Sequence, residues 1–184
     1  MSIPDDLSAV DAAPLLCAGL TTFSALRNSP AKAGDLVGVL GIGGLGHLGV
    51  QYARHMGFEV AAIGRGADKA ELAKKLGAHH YVDSTSVDPG QALRELGGAA
   101  LVIATGATPD PIEVSTSDLL FASRSIEGAL TGDPATGDAT LKFSVLTGVA
   151  AMIETMPLED AADAYAKMMA GKARLRIRMV LTMQ

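Results

Sequence analysis

At 184 residues the chain can bury one sizeable core and is short for two. Apolar residues make up 48% and charged residues 19%, a globular balance, while a net charge of −5 with no basic run beyond the alternating Arg174, Arg176 and Arg178 excludes nucleic acid and anionic membrane as expected partners. The single cysteine, Cys17, cannot close an internal disulfide, which fits a reducing cytoplasm; the acidic MSIPDD start lacks a cationic region before an apolar core, and no run is expected to reach transmembrane length.

In chain order, Ala12 to Arg27 carries a helical pattern, interrupted at Pro14 and Gly19 and ended by Ser29-Pro30. Leu36 to Leu40 is short, continuous and apolar, as a strand buried on both faces is. Leu45, Leu48, Gly49, Tyr52, Ala53 and Met56 then repeat at helical spacing. Phe58 to Ile63 reads as a second strand. Asp68 and Glu71 have the spacing of a capping box before a short helix that ends at Gly77. Tyr81 to Asp83 is a third strand, Asp88-Pro89 caps a helix ending at Gly97-Gly98, and Ala100 to Thr105 is a fourth strand, apolar on both faces.

After Thr105 the alternation falters. A further strand is expected at Ser125 to Leu130, but the interval holds Pro109, Pro111 and one short helical candidate, Ser117 to Ala122. A parallel crossover needs a dozen or more residues and usually a full helix. The expected fold is therefore α/β, a Rossmann-like doubly wound parallel sheet one strand–helix unit short. Beyond it, Asp138 to Gly148 reads as a helix, Met152 to Thr155 as a strand and Pro157 to Ala170 as a helix. Leu158, Ala161, Ala162, Tyr165, Met168 and Met169 share one face of that last helix, and the two methionines read as core packing. Leu175 to Thr182 is a last strand. Residues 1–33 are expected to form a lead-in, 34–147 the sheet domain and 148–184 a strand–helix–strand tail.

The chemistry is concentrated between the first strand and its helix. Gly41, Gly43 and Gly46 have the G-x-G-x-x-G spacing, with Gly44 and Leu45 completing the turn. The first glycine permits the tight turn, the second lets backbone approach a pyrophosphate, and the third lets helix and strand pack closely. A helix N-terminus facing such a turn is an anion site. Glycine turns also serve structure alone, and it is the strand before and helix after that give the motif its meaning. His47, in the first helical turn, reads as an exposed or partly packed side chain.

Three segments, APLLCAGLTTFSALRNS (Ala13 to Ser29), GDLVGVLGIGGLGHLGVQYARHMGF (Gly34 to Phe58) and MIETMPLEDAADAYAKMMAGKARLRIRMVLTM (Met152 to Met183), resemble zinc-dependent alcohol dehydrogenases of the medium-chain dehydrogenase/reductase superfamily. The resemblance implies a Rossmann domain that binds a nicotinamide cofactor for hydride transfer between an alcohol and an aldehyde or ketone. It further implies that Gly41, Gly43 and Gly46 form the pyrophosphate turn, that Thr21 lies next to the nicotinamide, that Arg178 reaches the pyrophosphate, and that Cys17 matches one ligand of a catalytic zinc. A homodimer formed by pairing sheet edges near Ser125 to Leu130 is the expected assembly.

Three departures shape the expected function. The family's N-terminal catalytic domain, with the other zinc ligands, has no counterpart in this sequence, so the chain is expected to be truncated and inactive on its own. One cysteine cannot hold a catalytic zinc, which takes about three protein ligands. The resemblance also implies that a helix and a strand are deleted around Thr105 to Thr108. Finally, the acidic residue that holds the adenosine ribose in NAD enzymes is replaced by Gly64, followed by Arg65. That exchange favours NADP over NAD, because an arginine pairs well with a 2′-phosphate that a carboxylate would repel. The rival reading is a non-catalytic, self-associating interaction module whose tail exposes apolar surface.

Overall fold

The computed structural model describes residues 2–106, 113–120, 125–170 and 179–183. Ser8 caps the first helix, its hydroxyl accepting the Asp11 N–H, and α1 (Ala9–Pro14) runs through a π-helical turn (Leu15–Gly19) into α2 (Leu20–Arg27). The interruptions expected at Pro14 and Gly19 are thus absorbed as one widened turn in a longer rod. By length and composition alone the 19 residues Ala9–Arg27 are enough to cross a membrane, contrary to expectation; half of that stretch is buried inside the fold, as in the core helix of a globular protein.

The first strand, β1 (Leu36–Leu40), leads through the glycine turn to α3 (Gly46–His55). The chain continues through β2 (Glu59–Gly64), α4 (Ala70–Lys75), β3 (His80–Asp83), α5 (Pro89–Glu95) and β4 (Leu101–Ala104). These strands form one parallel sheet in the order β3-β2-β1-β4, with Leu36 to Leu40 facing Glu59 to Ile63 on one side and Val37 to Leu40 facing Leu101 to Ala104 on the other. That order is the first four positions of the doubly wound order, with the chain reversing direction across the sheet between β1 and β4.

Alternate residues of each strand feed two cores. Val37, Val39, Val60 and Ala62 join the lead-in helices and α3, together with Leu141 of α7 (Pro134–Thr147). Leu36, Ala61, Ile63 and Val82 pack with Leu93 of α5 on the opposite face. Phe23, Tyr52 and Phe143 interlock α2, α3 and α7 with ring centroids 5.3–6.1 Å apart, and the buried Tyr52 hydroxyl is 2.8 Å from Ser144 Oγ. Burial pushes that phenol up to about 12.

Several expectations need correcting. Ala100 to Thr105 is not apolar-buried on both faces: β4 alternates, with Val102 46% exposed, because among the described residues it is the last strand of the sheet. Residues 125–130 form no strand and are exposed; among the described residues they have no neighbour with which to share a ladder. No capping box forms at Asp68 and Glu71, since a 3₁₀ turn (Ala67–Lys69) precedes α4 and no side chain caps it. The Ser117 to Ala122 helix appears as α6 (Thr116–Leu120). The helix expected from Asp138 begins at Pro134, capped by Asp133 accepting from Thr136 N–H, because proline fits a first helical position.

The tail is a separate two-stranded parallel ribbon, β5 (Glu154–Pro157) with β6 (Met179–Thr182), joined by α8 (Ala161–Met169) and lying beside α1. Met168 and Met169 are 41% and 66% exposed, so they are not core; within α8 only Ala164 is buried. The ribbon covers one side of α8 and, among the described residues, nothing covers the other.

Candidate functional site

The glycine turn sits at the carboxyl end of β1, beside the carboxyl end of β4, where the strand order reverses. In open α/β sheets this crevice is where ligands bind. Gly41 has φ +93°, a backbone state that L side chains rarely adopt, and its N–H donates to Ile63 O. A Cβ on Gly46 would lie 1.6 Å from Gly41 O, so only glycine lets α3 start this close to the strand end. A Cβ on Gly43 would meet nothing within 4 Å: the second glycine borders open space. The three positions therefore have the geometries that a tight turn, an open approach and close helix packing each require.

Among the described residues the N–H groups of Gly44, Leu45 and Gly46 have no protein acceptor, whereas those of His47, Leu48 and Gly49 are already bonded to Gly43 O or Leu45 O. Leu45 offers no side-chain cap to α3. These N–H groups lie at the start of α3, where the helix dipole is positive. The residues present fit the pyrophosphate of a dinucleotide. Thr105 is a site residue that the sequence did not single out. Its hydroxyl is 2.9 Å from Leu40 O and 3.1 Å from Gly41 O, and it lies against the positions that Cβ atoms on Gly41 and Gly46 would take. It ties the end of β4 to the turn.

At the end of β2, Gly64 is buried, and a Cβ there would lie 2.6 Å from Tyr81 Oη. The Tyr81 hydroxyl donates to Gly66 O at 2.6 Å. Arg65 is exposed. Two carboxylates border this turn: Asp68, whose Oδ1 is 2.7 Å from where a Cβ on Gly66 would sit, and Asp83, at the end of β3. Its Oδ1 accepts from Gly66 N–H (2.8 Å), Thr85 N–H (2.9 Å) and the Thr85 hydroxyl (2.7 Å), and its Oδ2 accepts from Ser86 Oγ (3.2 Å). The Thr85 hydroxyl foremost, then the two backbone donors, hold this carboxyl down at about 2. Asp83 is therefore committed to shaping its own loop. Tyr81 and Asp83 were legible only as strand residues, since their roles depend on the register of β3 against β2.

Thr21 and Cys17 lie one turn apart, with the Thr21 hydroxyl donating to Cys17 O at 2.8 Å, and Cys17 is exposed. No three His, Cys, Asp or Glu side chains come together as a metal site among the described residues. These residues do not fit a catalytic zinc. Arg178 lies outside the described residues. His47, expected near the surface, is fully buried.

An open α/β sheet with a glycine turn at its switch point defines a dinucleotide-binding protein of the Rossmann class. The sequence profile of the family described as zinc-binding dehydrogenase matches residues 44–105, ending at the Thr105 that closes β4. Alcohol dehydrogenase notN of an Aspergillus species is 38% identical over 203 positions, covering 98% of this chain and 59% of that protein. CAD from Helicobacter pylori, whose structure is complexed with NADP(H), superposes with a TM-score of 0.78 at 27% identity, covering 98% of this chain and 57% of that one. Acetophenone reductase from Geotrichum candidum, in complex with NAD, has the same fold with a TM-score of 0.80 at 24% identity, covering 99% and 58%. The chain is similar to zinc-type alcohol dehydrogenases over nearly its whole length and spans about three fifths of the length of the relatives it matches. Because 203 positions are matched by 98% of 184 residues, about twenty positions of the Aspergillus relative have no counterpart in this chain.

Proposed function

We propose that this chain is the nicotinamide-dinucleotide-binding portion of a zinc-type alcohol dehydrogenase, serving hydride transfer between an alcohol and an aldehyde or ketone and preferring NADP to NAD. The observation that carries the reading is the glycine turn: the N–H groups of Gly44, Leu45 and Gly46, which have no acceptor among the described residues, at the start of α3 and at the switch point between β1 and β4. When bound, the nicotinamide supplies the hydride chemistry. The chain's part is to hold the pyrophosphate on backbone donors and the adenosine end at the Gly64–Gly66 turn. Thr21 and Arg178 contact the nicotinamide and the pyrophosphate respectively in this reading, which also assigns the missing helix and strand to Thr105 to Thr108. The assignment is to the cytoplasm. Zinc is no part of the proposal, although Cys17 matches a family ligand, and this chain alone is expected to turn over no alcohol when given zinc and NADP.

The preference for NADP is supported by the exposed Arg65 and by Gly64, which puts no carboxylate at the end of β2. Titration of NADPH and NADH, followed by nicotinamide fluorescence, tests both parts. Saturable binding with NADPH the tighter ligand is expected; no binding at millimolar ligand contradicts the reading. Gly64→Asp alone would drive its Cβ into Tyr81 Oη, so the specificity test pairs it with Tyr81→Phe. Relative to Tyr81→Phe alone, the double variant should lower the NADPH/NADH affinity ratio about tenfold. An unchanged ratio assigns no role to the Gly64 position.

A second reading, a self-associating module, is favoured by one observation: the uncovered side of α8, with Tyr165 61% and Met169 66% exposed. A homodimer remains the proposed assembly, but edge pairing at Ser125 to Leu130 no longer supports it, since residues 125–130 form no strand.

A further inference from the structure

His47 is fully buried at the second position of α3. Its backbone N–H donates to Gly43 O at 3.1 Å, and its ring Nδ1 lies 2.9 Å from the same oxygen. On the far side of the ring, Nε2 is 3.0 Å from the backbone nitrogen of Met152. A backbone N–H can only donate, so Nε2 bears the lone pair and the ring proton sits on Nδ1, where it is donated to Gly43 O. Two donors from one residue thus converge on the carbonyl of the second glycine. The segment that fixes the tautomer is also held by Gln51, whose Nε2 donates to Ala150 O at 3.0 Å.

A trans peptide is planar, so a carbonyl and the N–H of the next residue point in opposite directions. Drawing Gly43 O toward the first turn of α3 therefore turns the Gly44 N–H away from it. That N–H has no acceptor among the described residues, and the turn is open there, since a Cβ on Gly43 would touch nothing within 4 Å.

We infer that His47 is a positioning residue for the pyrophosphate: it locks the Gly43–Gly44 peptide so that the Gly44 N–H faces a cofactor phosphate oxygen, with Met152 holding the ring in the tautomer that does so. The inference rests on the dinucleotide reading and deepens it. It also gives the start of the tail a role at the cofactor turn, because the lock needs the Met152 N–H.

The test uses the 184-residue chain, two variants and NADPH. His47→Leu removes the ring donor, and His47→Asn restores an N–H donor close to where Nδ1 sits. His47→Leu should weaken NADPH binding about tenfold, and His47→Asn should recover most of it. In the wild type, nitrogen-15 NMR of the imidazole should report the Nδ1–H tautomer, and the Gly44 amide proton should move downfield when NADPH is added. Wild-type binding that His47→Leu leaves unchanged, an Nε2–H tautomer, or a Gly44 amide indifferent to NADPH each overturns the inference while sparing the cofactor reading. A wild type that binds no NADPH defeats both. The NMR arm needs no variant, so a misfolded His47→Leu does not blunt the test.

Discussion

Two strand–helix–strand units in this chain obey the same local rules and end differently. In β1–α3–β2, Val37, Val39, Leu48, Val50, Tyr52 and Val60 are all fully buried. In β5–α8–β6, Ala164 and Val180 are buried, but Leu158, Tyr165, Met168, Met169 and Leu181 are 39–66% exposed. Both units carry apolar residues at helical spacing. The first has a sheet neighbour on either side and helices over both faces, whereas the second is a lone ribbon beside α1. An amphipathic pattern makes a helix; only a partner layer makes its face into core.

The comparison can be broken most severely at Gly46. Gly46→Ala places a Cβ 1.6 Å from a backbone oxygen that cannot swing aside. The helix must back away from the strand, and a loss of about 4 kcal/mol, or failure to fold, is expected in denaturant titration. Next in size, Leu48→Ala removes a side chain with no exposure and should lower stability by about 3 kcal/mol. Met169→Ala, at the same kind of helical position in the tail, should change it by less than about 0.5 kcal/mol. Similar losses at the two sites would mean that the tail is as well packed as the sheet.

Changing Met168 and Met169 together to lysine should leave the melting curve nearly intact while reducing any self-association seen by sedimentation velocity. Unchanged association would take this face out of the assembly. The smallest effect concerns Asp83, whose carboxyl sits at about 2 instead of the usual 3.8 because the Thr85 hydroxyl and the backbone N–H groups of Thr85 and Gly66 favour its charged form. A lowered folded value stabilises the fold above the unfolded value, and the contribution fades as pH falls toward the folded one. Thermal melts of wild type and Asp83→Asn should therefore differ above about pH 4 and converge near pH 2.

These contrasts also mark how far the sequence could be read. β1, the glycine turn, α3 and the Asp88 cap were legible, because each is specified by neighbours in the chain: an apolar run, three spaced glycines, an Asp-Pro pair. What escaped depended on residues distant in sequence. Asp68 and Glu71 have capping-box spacing, yet the Gly66 loop is organised by Asp83 instead. Residues 125–130 have a strand's composition but, among the described residues, nothing to pair with. Met168 and Met169 carry a core pattern without the layer that would cover it. Thr105, Tyr81 and His47 came into the site through register and burial, which no local spacing announces.

The central claim is that the Gly41–Gly46 turn holds a dinucleotide, and Gly43 isolates it. Its backbone is not left-handed and a side chain there would meet nothing within 4 Å, so Gly43→Val should fold and melt like the wild type while filling the space a pyrophosphate needs. The direct measurement is NADPH titration of both proteins beside their thermal melts. The account predicts saturable binding to the wild type and none to a fully folded Gly43→Val; equal binding by the two, or no binding by either, would contradict it.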